Sequence, residues 1–246
     1  MIVVGWTRVG ALTAAVAALL VAGCGGGGET EAVREPVLRV LFVGNSLTDT
    51  NDLPATVSDI AERAGAGRLE TEVVAPGGVS LEDHWTATGA RERLEGGEWD
   101  VVVLQQGPSS LPQSRAHLVR WAGRWADLAR EHGVRPALLT VWPEAERATS
   151  LPDVIASYAA AARASGALLL PAGEAWQAAW ARDPELSLHG ADGLHPSELG
   201  TGLAALVVYA GLTGTEPEAL AGIDLPGVDE ETAALLRDAA AQALGS

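Results

Sequence analysis

Three residues in this sequence have the types and the chain order for nucleophilic acyl chemistry: Ser46, Asp192 and His195. A serine hydroxyl is a poor nucleophile until a neighbouring imidazole takes its proton. The imidazole needs a carboxylate to fix its tautomer and stabilise its charged form. Asp192 and His195 stand three apart in the Gly-rich stretch HGADGLHP, so a single loop could supply both. Ser46 follows an apolar run, VLRVLFV, that stops at Gly44-Asn45-Ser46. Backbone N–H groups in tight turns can hold an oxyanion, each worth about 2.7–4 kcal/mol. Gly77 and Gly78, in PGGVS, offer that kind of backbone.

The elements that must position these residues are legible as alternating patterns. Five strand-like runs cover Leu38–Val43, Leu69–Ala75, Val101–Leu104, Ala137–Val141 and Ala167–Leu170. Helix-like segments cover Leu53–Ala64, Leu81–Leu94, Gln113–His132, Leu151–Ser165, Glu174–Arg182, Ser197–Gly211 and Glu230–Leu244. The best of them carries Leu118, Trp121, Trp125, Leu128 and Ala129 at three- and four-residue spacing. Nearly continuous apolar strands alternating with helices predict a mostly parallel five-stranded sheet covered on both faces. The expected fold class is α/β, a three-layer α/β/α sandwich of flavodoxin-like type. Such a sheet places its ligand site at the carboxyl ends of its strands. Those ends deliver Asn45 and Ser46, then Gly77 and Gly78, then LQQGPSS, then TVWPE.

On these residues the chain resembles the SGNH/GDSL hydrolase superfamily of esterases and lipases. VLFVGNSLTDT is similar to that family's first block, with Gly-Asn-Ser in place of Gly-Asp-Ser. The resemblance implies Ser46 as nucleophile. DGLHP is similar to the last block and implies Asp192 as orienting acid and His195 as base. The resemblance covers essentially all of Val37 to Leu212 and implies an SGNH hydrolase-like fold.

The middle blocks depart from the family pattern. The second block provides a Gly whose N–H enters the oxyanion hole, which implies Gly78, with Ser80 or Leu81 in an alternative register. The third block usually supplies an Asn side chain, but LQQGPSS contains none. A Gln carboxamide carries the same donor on a longer arm, so Gln106 or Gln105 could replace it, with Gln106 preferred. Ser46 N–H, Gly78 and Gln106 are thus the expected oxyanion donors. Gly-x-Ser-x-Gly does not occur in the chain, so the sharp elbow of ordinary α/β-hydrolases is not expected.

Other candidates are placed by position. Trp85 and Trp142 lie at strand exits and are expected to floor a substrate cleft, with Asn45 and Gln105 beside them. His84 is expected to line that cleft or hold the second block. His189, Thr48 and Asn51 read as loop residues, and Trp121 and Trp125 as core. The spacing of His189, Asp192 and His195 matches no zinc motif such as His-Glu-x-x-His, so neither metal nor cofactor is expected.

Composition narrows the partners. The chain of 246 residues has a net charge of −16, and all 16 of its cationic side chains are Arg. Nucleic acid and anionic membrane surfaces require clustered cations, so neither is an expected partner. About 14 apolar residues near the N-terminus are too few to span a bilayer, which takes roughly 20. They suit an export signal over residues 1–23. Val21-Ala22-Gly23-Cys24 resembles a bacterial lipoprotein box, which implies lipidation at Cys24 and a membrane anchor outside the cytoplasm. Cys24 is the one cysteine, so no disulfide can form within the chain. Residues 24–36 read as a Gly-rich tether, and 37–246 as the hydrolase domain. The expected function is hydrolysis of small-molecule or glycan carboxylic esters. A non-catalytic glycan-binding lipoprotein on the same fold is the alternative.

Overall fold

The computed structural model describes residues 37–65, 67–225 and 227–245. The expected signal, the tether and the lipidation site at Cys24 lie outside the described residues. Five strands form one sheet: β1 (Val37–Val43), β2 (Arg68–Val74), β3 (Val101–Leu104), β4 (Arg135–Leu139) and β5 (Leu168–Leu170). Their order is β2-β1-β3-β4-β5. Every pairing is parallel, where the sequence suggested only mostly parallel.

Nine α-helical segments follow in chain order among the described residues: α1 (Ser46–Asp49), α2 (Leu53–Ala64), α3 (Leu81–Thr86), α4 (Ala90–Gly96), α5 (Pro112–Glu131), α6 (Leu151–Ser165), α7 (Ala172–Arg182), α8 (Glu198–Thr213) and α9 (Glu230–Leu244). The irregular helix expected over Leu81–Leu94 is two helices, α3 and α4. The break falls before Gly89, whose φ of 77° caps the start of α4.

Period-two alternation of the strands divides the core. Val40 and Phe42 of β1, with Val101 and Val103 of β3, pack against α2, α7, α8 and α9. Leu41 and Val43, with Val102 and Leu104, pack against α3, α4, α5 and α6. Both faces are therefore covered, which explains why the inner strands read as nearly continuous apolar runs, whereas the edge strand β2 carries Glu70, Thr71 and Glu72. α8 is buried on nearly every side from Gly200 to Ala210, as expected of a helix apolar all round.

The register aligns the strand ends. Val43 lies opposite Val74 and Leu104, and Leu104 opposite Leu138. The loops after β1, β2, β3 and β4 therefore leave from one edge. The chain passes from β1 outward to β2 and then back to β3 on the other side. That reversal falls at the carboxyl ends of β1 and β3, where open α/β sheets usually hold a ligand.

Candidate active site

The Ser46 turn begins where β1 stops. Gly44 has no room for a side chain, because a Cβ there would lie 2.5 Å from Thr48 Oγ1 and 2.6 Å from Gln105 Oε1. Asn45 caps the one-turn helix α1, its Oδ1 accepting from Leu47 N–H at 3.1 Å. Its Nδ2 donates to Val79 O at 3.2 Å, linking the first loop to the second. Its backbone N–H donates to Gln105 Oε1 at 2.8 Å, and Thr48 Oγ1 donates to the same oxygen at 2.8 Å. Gln105 Nε2 donates to Asn45 Oδ1 at 3.1 Å and to Gln106 O at 2.7 Å. Gln105, 1% exposed, thus has both N–H groups and its carbonyl committed.

This closed network corrects two expectations. Asn45 and Gln105 do not face a substrate cleft; they are buried and bonded to each other, fixing the turn. Ser46 is half-buried at the head of α1, where its N–H has no carbonyl within the helix to bond. Its Oγ makes no hydrogen bond among the described residues.

In the second loop the three candidate N–H groups differ in their commitments. Ser80 N–H donates to Asp83 Oδ2 at 2.8 Å, as half of the box that caps α3. Leu81 N–H donates to Gln106 Oε1 at 3.3 Å. Both alternative donors are therefore occupied, whereas Gly78 is exposed with φ at 75°, a left-handed conformation suited to glycine. Gln106 has one N–H on Ser109 Oγ at 3.0 Å, leaving the second uncommitted. Ser109 itself has a φ of 57°. The Gln106 carbonyl accepts from the Tyr158 hydroxyl, whose buried ring rises from α6.

His84 does not line an open cleft. It is 1% exposed, with Nε2 at 2.6 Å from Gly44 O and Nδ1 at 2.7 Å from Thr88 Oγ1. The Gly44 carbonyl can only accept, so Nε2 carries the proton and Nδ1 accepts from Thr88. Burial lowers the His84 pKa and keeps the ring neutral. His84 therefore ties the second block to the strand end two residues before Ser46.

The two tryptophans also differ from expectation. Trp142 is 2% exposed and stacks on Trp176 with centroids 3.7 Å apart, so it belongs to the core and not to a cleft floor. Trp85 is half-buried, edge-on to Trp125 at 5.4 Å, with the Arg91 guanidinium 4.9 Å over its ring. That cover leaves it packed against α4 and α5 in place of an open aromatic platform.

The candidate base, His195, lies on the loop before α8. His195 Nδ1 is 2.6 Å from Asp192 Oδ2. Asp192 Oδ1 accepts from the N–H groups of Leu194 and His195, each at 3.0 Å. The bond from His195, then these two backbone donors, hold the Asp192 carboxyl well below the usual carboxylate range. With the proton on Nδ1 facing the carboxylate, His195 Nε2 is left as an acceptor, and it has no partner among the described residues. The loop is closed by a bridge between His189 and Pro196, with Gly190 N–H on His195 O at 2.8 Å. His189 Nε2 donates to Pro143 O at 2.9 Å, and Ala145 N–H donates to Gly193 O at 2.7 Å. Among the described residues no group of three or more His, Cys, Asp or Glu side chains is placed to hold a metal.

Comparison with solved structures agrees with this architecture. A candidate SGNH hydrolase from Slackia heliotrinireducens is 28% identical, with a TM-score of 0.61 over 72% of this chain and 100% of its own. A DUF4886 family protein from Bacteroides uniformis superposes with a TM-score of 0.70 at 18% identity, over 85% of this chain and 95% of its own. A lipase/acylhydrolase from Enterococcus faecalis gives 0.55 at 17% identity, over 72% of this chain and 96% of its own. No protein-family model and no curated protein matches the chain. The fold is therefore SGNH hydrolase-like.

Proposed function

We propose that the chain is a serine hydrolase of the SGNH type that cleaves carboxylic esters, with short acyl or acetyl groups on small molecules or glycans as the substrate class. The observation that carries this reading is the Asp192–His195 contact of 2.6 Å, which leaves Nε2 free at the sheet edge that also bears Ser46. Ser46 Oγ attacks the ester carbonyl while Nε2 of His195 takes its proton. The Nδ1–H bond to Asp192 stabilises the imidazolium that forms. The N–H groups of Ser46 and Gly78 and the spare N–H of Gln106 hold the oxyanion. His195 then protonates the leaving alcohol, and water releases the acyl group by the reverse steps. In the same reading, residues 1–23 direct export and a lipid on Cys24 anchors the domain to the membrane outside the cytoplasm.

Hydrolysis of p-nitrophenyl acetate tests the assignment. Wild type is expected to turn over and both Ser46→Ala and His195→Ala to be inert. Full activity in both folded variants overturns it.

A further inference from the structure

The nucleophile and the base come from opposite ends of the domain, and among the described residues one side chain is hydrogen-bonded between their two segments. Asn51 Nδ2 donates to Pro196 O at 2.9 Å and to Thr201 Oγ1 at 3.0 Å. Among the described residues no other hydrogen bond joins 44–52 to 188–201. Pro196 directly follows His195, and Thr201 is a buried residue in the first turns of α8. The carbonyls flanking the base are thereby both held: His195 O by Gly190 N–H, and Pro196 O by Asn51.

The backbone around Asn51 is unusual in the same place. Asn51 has φ 56° and ψ 18°, and Asp52 has φ 51° and ψ 61°. Two successive left-handed residues, neither of them glycine, turn the chain between α1 and α2. Asn and Asp are the non-glycine residues that tolerate this region best. Asp52 uses the turn to cap α2, its side chain accepting from Ala55 N–H at 3.2 Å. Asn51 has no such local bond. One hydrogen of its amide goes to the base loop and the other to the start of α8, both about 150 residues away in sequence. Strained backbone tends to persist where surrounding contacts need it.

We infer that Asn51 is a positioning residue that sets the His195 loop against the Ser46 turn. It touches neither reacting atom. It acts by fixing the peptide after the base relative to the segment that follows the nucleophile. An orienting contact of this kind matters because a misplacement of about 1 Å can cost about 10²-fold in rate. The inference rests on the hydrolase reading above.

Asn51→Asp tests it, because aspartate keeps the shape and tolerates the left-handed backbone but has no N–H to donate. Asn51→Gly is the companion variant, keeping the backbone and removing the side chain. Both are expected to lower kcat by about 10²-fold, with KM within about twofold of wild type. Labelling of Ser46 by a fluorophosphonate should slow in parallel, in protein that remains folded at the assay temperature. A labelled wild type beside a folded Asn51→Asp or Asn51→Gly protein of undiminished kcat overturns the positioning role alone. So does a variant whose lost activity is fully accounted for by its unfolded fraction at the assay temperature. A wild type that neither labels at Ser46 nor hydrolyses esters overturns the hydrolase reading and this role with it.

Discussion

The Ser46 turn and the His195 loop are built on opposite plans. Around Ser46 the supporting groups are buried and come from afar in sequence: Gln105 and His84 reach across from the third and second loops. Around His195 the group that bonds the imidazole itself is local and partly exposed, and distant residues hold only the loop that carries it. Asp192 is three residues away, with a side chain 52% exposed, and Gly190 closes the loop on itself. A nucleophile needs its backbone N–H and Oγ fixed against the oxyanion donors, so a buried polar network is spent on holding it. The base needs its tautomer set and its Nε2 open, which one carboxylate and a short loop can do.

Substitutions that separate the two plans give sharply different expectations. Asp192→Asn leaves the acceptors for Leu194 and His195 N–H in place but removes the charge that sets the His195 tautomer. It is expected to reduce kcat about 10⁴-fold with an unchanged melting temperature, by steady-state ester hydrolysis and thermal melts. Gln106→Met keeps the volume and removes the proposed third oxyanion donor. Its kcat is expected to fall about 10²–10³-fold, with KM little changed.

Gln105→Ala attacks the buried plan instead. It leaves Asn45 N–H and Thr48 Oγ1 without their shared acceptor, and the expected loss is about 1–3 kcal/mol of stability in urea unfolding. An unchanged unfolding midpoint would show that the network does not hold the turn.

The smallest effect concerns pH. The folded pKa of His84 lies below its unfolded value near 6.5, so the unfolded chain binds the extra proton first. Stability from the neutral ring is complete above that value and is lost as pH falls below it. The stability difference between wild type and His84→Gln is therefore expected to narrow as pH drops from about 7 to 5, by urea titration at each pH. A difference constant across that range would mean that His84 is not held neutral.

The same contrast explains what could be read from the sequence. Strand–helix alternation and nearly continuous apolar inner strands follow from period and burial, so the α/β/α sandwich was legible in the sequence. The Asp192–His195 pair was legible because its spacing is local. The supports of the Ser46 turn were not, since Gln105 reaches Asn45 and Thr48, and His84 reaches Gly44, only through the alignment of strand ends. That is why Gln105 read as a substrate contact and proves to be a buried brace. Trp142 misled for a related reason: position at a strand exit says nothing of which way a ring turns, and this one turns inward onto Trp176. The break between α3 and α4 had a signal, Gly89, that helical periodicity on both sides concealed.

The central claim is that Ser46 is a nucleophile activated by His195. Reaction of the full chain with a fluorophosphonate, followed by peptide mass spectrometry, tests it most directly. The account predicts a single adduct on Ser46, formed far more slowly in His195→Ala. Folded protein that stays unmodified, or an adduct that forms equally well in Ser46→Ala, would contradict it.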